Sequence, residues 1–139
     1  MDTIKRTDDG LYADITWKII GCSMKVHGYY GPWYVEYVYQ KALEHVMKKE
    51  NIPYSAKEEL PILYEGEAIG ATLIPDFVVD NKVIVEIKSL DKLLPKNERQ
   101  ILSYMKATGI EVGLLINFGQ RHLEWKRFIT HQDTDNTSS

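Results

Sequence analysis

The run Pro75-Asp76-Phe77-Val78-Val79-Asp80-Asn81-Lys82-Val83-Ile84-Val85-Glu86-Ile87-Lys88 leaves this chain little choice of fold. Two segments rich in β-branched residues flank Asp80-Asn81-Lys82, the composition of a hairpin whose strands both lie against a core. Three charged side chains interrupt them: Asp76, Glu86 and Lys88. Glu86 and Lys88 are two residues apart, so on a strand they share a face. Asp76 and Glu86 are equally far from Asn81, the centre of the turn. An antiparallel register therefore sets Asp76 opposite, or nearly opposite, Glu86.

Two carboxylates brought together in a hydrophobic sheet repel, and such a pair is tolerated with a proton or a cation between them. Oxygen ligands of this kind suit Mg²⁺ or Mn²⁺, and a neighbouring lysine can orient or activate a water. The plainer account is a surface salt bridge between Glu86 and Lys88, with Asp76 as a strand-edge acid. Spacing alone leaves both open.

The pattern Asp76…Glu86-Ile87-Lys88, preceded by Pro75, resembles the PD-(D/E)XK signature of restriction-endonuclease-like nucleases. The surrounding stretches are Val26-His27, Gly31 to Tyr39, Ile52-Pro53, Gln100 to Gly109 and Gly113 to Gly119. Together they are similar to the GxxExxY family of small proteins in that superfamily, over about residues 15 to 129. The glycine that opens the namesake pattern is Trp33 here, while Glu36 and Tyr39 are kept. The departure bears on the backbone at the helix start, not on the acid. The resemblance implies a metal shell of Asp76, Glu86 and the Ile87 carbonyl, with Glu36 completing it or holding a second ion, and Lys88 positioning the attacking water or stabilising the developing charge. Gln100-x-x-x-Tyr104 resembles an element that accompanies this site in exonuclease-like branches. On that basis Gln100 and Tyr104 would orient Lys88 or a phosphate. Read without it, Glu36 is a first-turn acid complementing a helix dipole, and Gln100 hydrogen-bonds a core tyrosine.

With 139 residues, 44% hydrophobic and 27% charged, the chain fits one α/β domain over residues 13–130. Residues 1–12 are expected to be loosely held, and 131–139 to form a disordered tail. No apolar run approaches a bilayer span, no secretory h-region opens the chain, and Cys22 is the single cysteine, so the expected location is cytoplasmic. The net charge of −3 is not the basic footprint of a nucleic-acid binder, so a phosphate backbone would need a local basic face. Lys92, Lys96, Arg99, Lys106, Arg121, Lys126 and Arg127 are the positions for it, although scattered lysines are ordinarily a solvated surface.

Periodicity predicts a first helix over 13–28 with Ile15, Ile19, Ile20, Met24 and Val26 apolar, stopped by Gly28. A second helix is expected to open at Gly31-Pro32, with Val35, Val38, Ala42, Val46 and Met47 as its stripe and Glu36, Tyr39 and Leu43 on the adjoining face. Strands follow at 59–64 and 68–74, Gly70 marking a bulge or close backbone approach. The Asp/Glu/Lys hairpin comes next. A helix over 97–107 turns Ile101, Leu102, Tyr104 and Met105 inward, and strands close the chain at 112–117 and 122–129. The order α-α-β-β-β-β-α-β-β is one restriction-endonuclease-like mixed sheet flanked by helices. His27 reads as a core or helix-end histidine. Tyr29, Tyr30, Trp33, Tyr34 and Tyr37 cluster at the second helix, mostly as packing, with some rings exposed for stacking on bases.

The function expected is a Mg²⁺- or Mn²⁺-dependent nuclease acting on nucleic acid, DNA in preference to RNA. Two other classes compete: a catalytically inactive module of the same fold that holds nucleic acid or a protein, and a homodimer paired through a sheet edge or the aromatic cluster.

Overall fold

The computed structural model describes residues 10–130. The remaining residues of the expected loose N-terminus and the whole of the expected tail lie outside the described residues. Within the described part Tyr12 packs against the core rather than lying free.

Helix α1 (Ala13–Tyr30) and helix α2 (Glu36–Lys49) come first. Strands β1 (Tyr54–Ala56), β2 (Leu60–Tyr64), β3 (Glu67–Leu73), β4 (Phe77–Val79) and β5 (Val83–Lys88) follow. Helix α3 (Pro95–Thr108) then leads to β6 (Val112–Asn117) and β7 (Glu124–Ile129). The expected order holds with one short strand, β1, added. Five strands form a mixed sheet in the order β1-β4-β5-β6-β7, and β2 and β3 stand apart as a separate hairpin. Among the described strands only β5 and β6 run parallel, joined by the α3 crossover.

The sheet sides follow from parity. Phe77, Val79, Val83, Val85 and Ile87 face α1 and α2, where Ile19, Val26, Tyr39, Leu43 and Met47 complete the main core. Ile84 and Leu115 face the other way, onto Ile101 and Met105 of α3. Glu86 and Lys88 share the parity of Ile84, so they lie on the α3 side. Gly113 lets that helix approach, since a Cβ there would sit 2.5 Å from Met105 Sδ.

Several boundaries differ from expectation. Helix α1 continues through Gly28, because a glycine costs a helix only about 1 kcal/mol. It stops at Gly31, whose φ of 68° is left-handed and whose N–H donates to His27 O at 2.7 Å. Gly31 thus ends one helix instead of opening the next, and α2 starts at Glu36. Met24 is half exposed and Leu102 exposed, each just off the face that docks. On α2 the buried face is Tyr39, Gln40, Leu43 and Met47, whereas Val35 is exposed. The helix docks on the face that Glu36 begins, at i+3, i+4 and i+7. Val38, Ala42 and Val46 line a groove of about 530 Å³ against α1. The bulge lies where expected: the β2–β3 register shifts past Pro61, opposite Gly70 at φ 87°.

Candidate active site

The turn between β4 and β5 decides the register. Asp80 and Asn81 adopt φ of 53° and 55°, and Lys82 N–H donates to Val79 O at 2.9 Å. Two successive left-handed residues make a type I′ turn, which Asp and Asn tolerate better than most side chains. Val79 then pairs with Val83 and Phe77 with Val85, so one step further Asp76 meets Glu86 as expected.

Both acids are buried, each 3% exposed. The Asp76 N–H donates to Glu86 Oε2 at 2.8 Å, and the Ile87 N–H donates to Asp76 Oδ2 at 2.8 Å. Burial pushes the Glu86 carboxyl up to about 8, and the Asp76 charge adds to this; the Asp76 N–H and the ammonium groups of Lys88 and Lys57 pull the other way. Glu36, half-buried at the first turn of α2, is raised by burial and by Asp76, and lowered by Lys88 and Lys57. Tyr104 on α3 is raised by burial and by Glu86, and its hydroxyl accepts from Gln100 Nε2 at 3.3 Å. Glu36, Lys88 and Tyr104 therefore each interact by charge with Asp76 or Glu86, and Gln100 is bonded to Tyr104.

Two residues at this place escaped the sequence. Lys57, just past β1, sets its ammonium 2.5 Å from Asp76 Oδ1 while its N–H donates to Asp76 O at 3.1 Å. Burial favours the neutral amine, but the hydrogen bond to Asp76 and the charges of Asp76, Glu36 and Glu86 more than offset this and raise its pKa. Gln40, one helical turn past Glu36, donates from Nε2 to Glu44 Oε2 at 2.9 Å and Asp76 O at 3.3 Å; its buried Oε1 has no protein partner. Gln40 was accessible through its i+4 relation to Glu36. Lys57 was not, because its place depends on the unassigned pairing of β1 with β4.

The loop between α1 and α2 is fixed beside these groups. Ser89 Oγ, one residue past Lys88, donates to Tyr34 O at 2.8 Å, and the Tyr39 hydroxyl bonds Gly31 O. Trp33 is 82% exposed and Tyr37 67%. Of the expected basic positions, Lys126 is paired with Glu98 at 2.5 Å and Arg127 donates to Leu11 O. Lys92, Lys96, Arg99 and Lys106 are exposed on α3 and its approach loop. His27 is buried as a helix-end histidine, its Nε2 2.8 Å from Gln120 O.

This donor set suits a hard divalent cation: two carboxylates in a setting that penalises their charge. No three His, Cys, Asp or Glu side chains gather closely enough to cage a metal among the described residues. Mg²⁺, however, is commonly held through one or two carboxylates with water completing the shell.

A model of the PD-(D/E)XK nuclease superfamily matches residues 13–128, which include every one of these groups. The chain belongs to that superfamily. Among solved structures, the crystal structure of SSO0001 is 23% identical with a TM-score of 0.54, over 69% of this chain and 50% of that one. An alkaline exonuclease from Laribacter hongkongensis is 14% identical with a TM-score of 0.47, over 68% of this chain and 55% of that one. The chain thus spans about half the length of each. No curated protein sequence matches it. The superfamily's fold, a mixed sheet flanked by helices, is the one seen here.

Proposed function

We propose that this protein is a divalent-metal-dependent nuclease of the GxxExxY type, cleaving phosphodiester bonds at the Asp76–Glu86–Lys88 site. The observation that carries the reading is the meeting of Asp76 and Glu86, whose carboxylates accept from the N–H groups of Ile87 and Asp76 respectively, with Glu36, Lys88 and Tyr104 in electrostatic contact. Superfamily membership supports it. Asp76, Glu86 and the Ile87 carbonyl would hold Mg²⁺ or Mn²⁺, with Glu36 completing the shell through its own oxygen or a water. When bound, such an ion polarises a phosphate and lowers the pKa of a water.

The chain's own groups do the rest. Lys88 lies near both Glu36 and Glu86 by charge, which suits an ammonium that orients the attacking water or steadies charge developing on phosphorus-bound oxygens. Gln100 fixes the Tyr104 hydroxyl, which lies within reach of the Glu86 charge and would position Lys88 or a phosphate oxygen. Trp33 and Tyr37 offer exposed rings on either side of Tyr34, whose carbonyl is bonded to Ser89, and unpaired bases can stack on them. Lys92, Lys96 and Arg99 offer cations to a backbone that runs along α3. DNA is the preferred substrate to test.

The deciding experiment incubates the protein with single- and double-stranded DNA and RNA in Mg²⁺, Mn²⁺ or EDTA. Metal-dependent cleavage of any of them supports the reading. Metal binding without turnover on all of them transfers the site to a second reading, a binding module of nuclease fold. One observation favours that alternative: Asp76 Oδ1 already has the Lys57 ammonium as partner.

A further inference from the structure

Lys57 is outside the Asp…Glu-x-Lys pattern, yet it holds a central position in the site. Its N–H bonds the Asp76 carbonyl at 3.1 Å and its ammonium bonds Asp76 Oδ1 at 2.5 Å. The second Asp76 oxygen is occupied by the Ile87 N–H. The oxygen that faces the ammonium is thus the one left for a cation. The backbone of Lys57 is fixed in a left-handed conformation, φ 55°, which few lysines adopt. Fixing the Cα there aims the stem at Asp76. The side chain remains 51% exposed against 5% for Asp76. It is therefore a long, flexible chain reaching in from solvent to a buried acid, able to leave without breaking the core.

We propose that Lys57 is a built-in counter-ion that competes with the divalent metal for Asp76 and must be displaced when the metal loads. This rests on the metal-site reading above. Asp76, Glu86 and Glu36 share a site whose burial disfavours three charges, and an ammonium at Asp76 Oδ1 relieves that repulsion. A divalent ion at the same oxygen would relieve it better, but two cations cannot share so short an approach. Metal affinity therefore carries a penalty for expelling the ammonium, which is then free beside the site to meet an anionic phosphate.

The test measures Mn²⁺ affinity by calorimetry for the unaltered protein, Lys57→Met and Lys57→Arg, without nucleic acid. Lys57→Met keeps the length of the stem and removes the charge. It is expected to bind Mn²⁺ roughly tenfold more tightly, as an adjacent charge shifts carboxylate affinities by one or more powers of ten. Lys57→Arg keeps a cation and is expected to stay within about threefold of the parent. Equal or weaker binding by Lys57→Met overturns the competition while leaving the metal site standing. Absence of Mn²⁺ binding in both the parent and Lys57→Met overturns the metal site and the competition with it. Binding by Lys57→Met alone is the strongest support. Side-chain NMR of the unaltered protein decides if Lys57→Met fails to fold. The Lys57 ε-methylene and ammonium resonances are expected to move to those of a free lysine as Mg²⁺ is added. Their staying put at Mg²⁺ saturation overturns the proposal.

Discussion

Asp76 and Glu86 are joined by the backbone as well as by position: the N–H of one is capped by the carboxylate of the other, at 2.8 Å. The acids that make the site chemically interesting also close the open end of the β4–β5 pair. A substitution here changes chemistry and folding together unless it preserves the acceptor.

Glu86→Gln preserves an acceptor for the Asp76 N–H, and Lys88→Ala removes a partly buried amine. Each is expected to lower metal-dependent cleavage at least about a hundredfold, the scale of removing one group that stabilises developing charge. Both variants should still unfold cooperatively, and Lys88→Ala should melt near the parent. Parent-like cleavage by both variants would show that the chemistry lies elsewhere.

Stability without metal should depend on pH through Glu86. Its carboxyl titrates at about 8 in the folded chain against an ordinary 4.5, so the folded chain binds that proton more tightly. The stabilisation is fully present below about 4.5 and is lost as pH rises through about 8. In EDTA the melting temperature of the parent should fall relative to Glu86→Gln across that window. A constant difference between the two would contradict this.

Metal binding should show the opposite trend. A cation selects ionised Glu86, so Mn²⁺ affinity is expected to rise with pH up to about 8 and to level off above it. Calorimetry at neutral pH in buffers of different ionisation enthalpy should reveal proton release, absent in Glu86→Gln. Heats independent of the buffer would separate Glu86 from the metal.

Asn117 is fully buried where β6 ends, paired in register with Lys88. Its Oδ1 accepts from the N–H groups of Leu90 and Gly119, and its Nδ2 donates to Leu90 O and Glu124 Oε1. Asn117→Ala leaves these groups without their partner and should cost about 1–3 kcal/mol. By loosening the chain just past Lys88, it should lower the cleavage rate more than it lowers Mn²⁺ affinity. Denaturant unfolding and calorimetry on the same preparation separate the two effects.

Trp33 makes the clearest surface test. At 82% exposure, its change to Ala should alter stability by no more than about 0.5 kcal/mol. If a base stacks on it, single-strand affinity should fall by about 1–3 kcal/mol, read by anisotropy in EDTA.

The hairpin, its register and the sharing of a face by Glu86 and Lys88 were legible because they rest on local rules: turn chemistry, β-branching and a period of two. The α3 crossover and the parallel β6 followed from apolar runs and connection length. What was hidden depends on contacts between distant segments. Tyr54–Ala56 is three residues long and gains strand character only from β4, so Lys57 could not be placed. On α2 the expected stripe is only partly the docking face: Met47 is innermost, but so are the polar-tipped Tyr39 and Gln40, while Val35 is exposed and Val38 and Val46 are half-buried. Gly28 and Gly31 both look like helix stops, and Gly31's left-handed geometry distinguishes them in the fold alone.

The β2–β3 hairpin leaves and rejoins the body at one point, since Leu60 and Leu73 are paired at its root, and its strands belong to a sheet of their own. Its tip is therefore a module that can be shortened, lengthened or exchanged without disturbing the alignment of β1 with β4, on which Lys57 and Asp76 depend. Ile62, Thr72 and Leu73 line a hollow shared with Tyr104, so changes beyond that root alter the surface beside the proposed site without touching its acids.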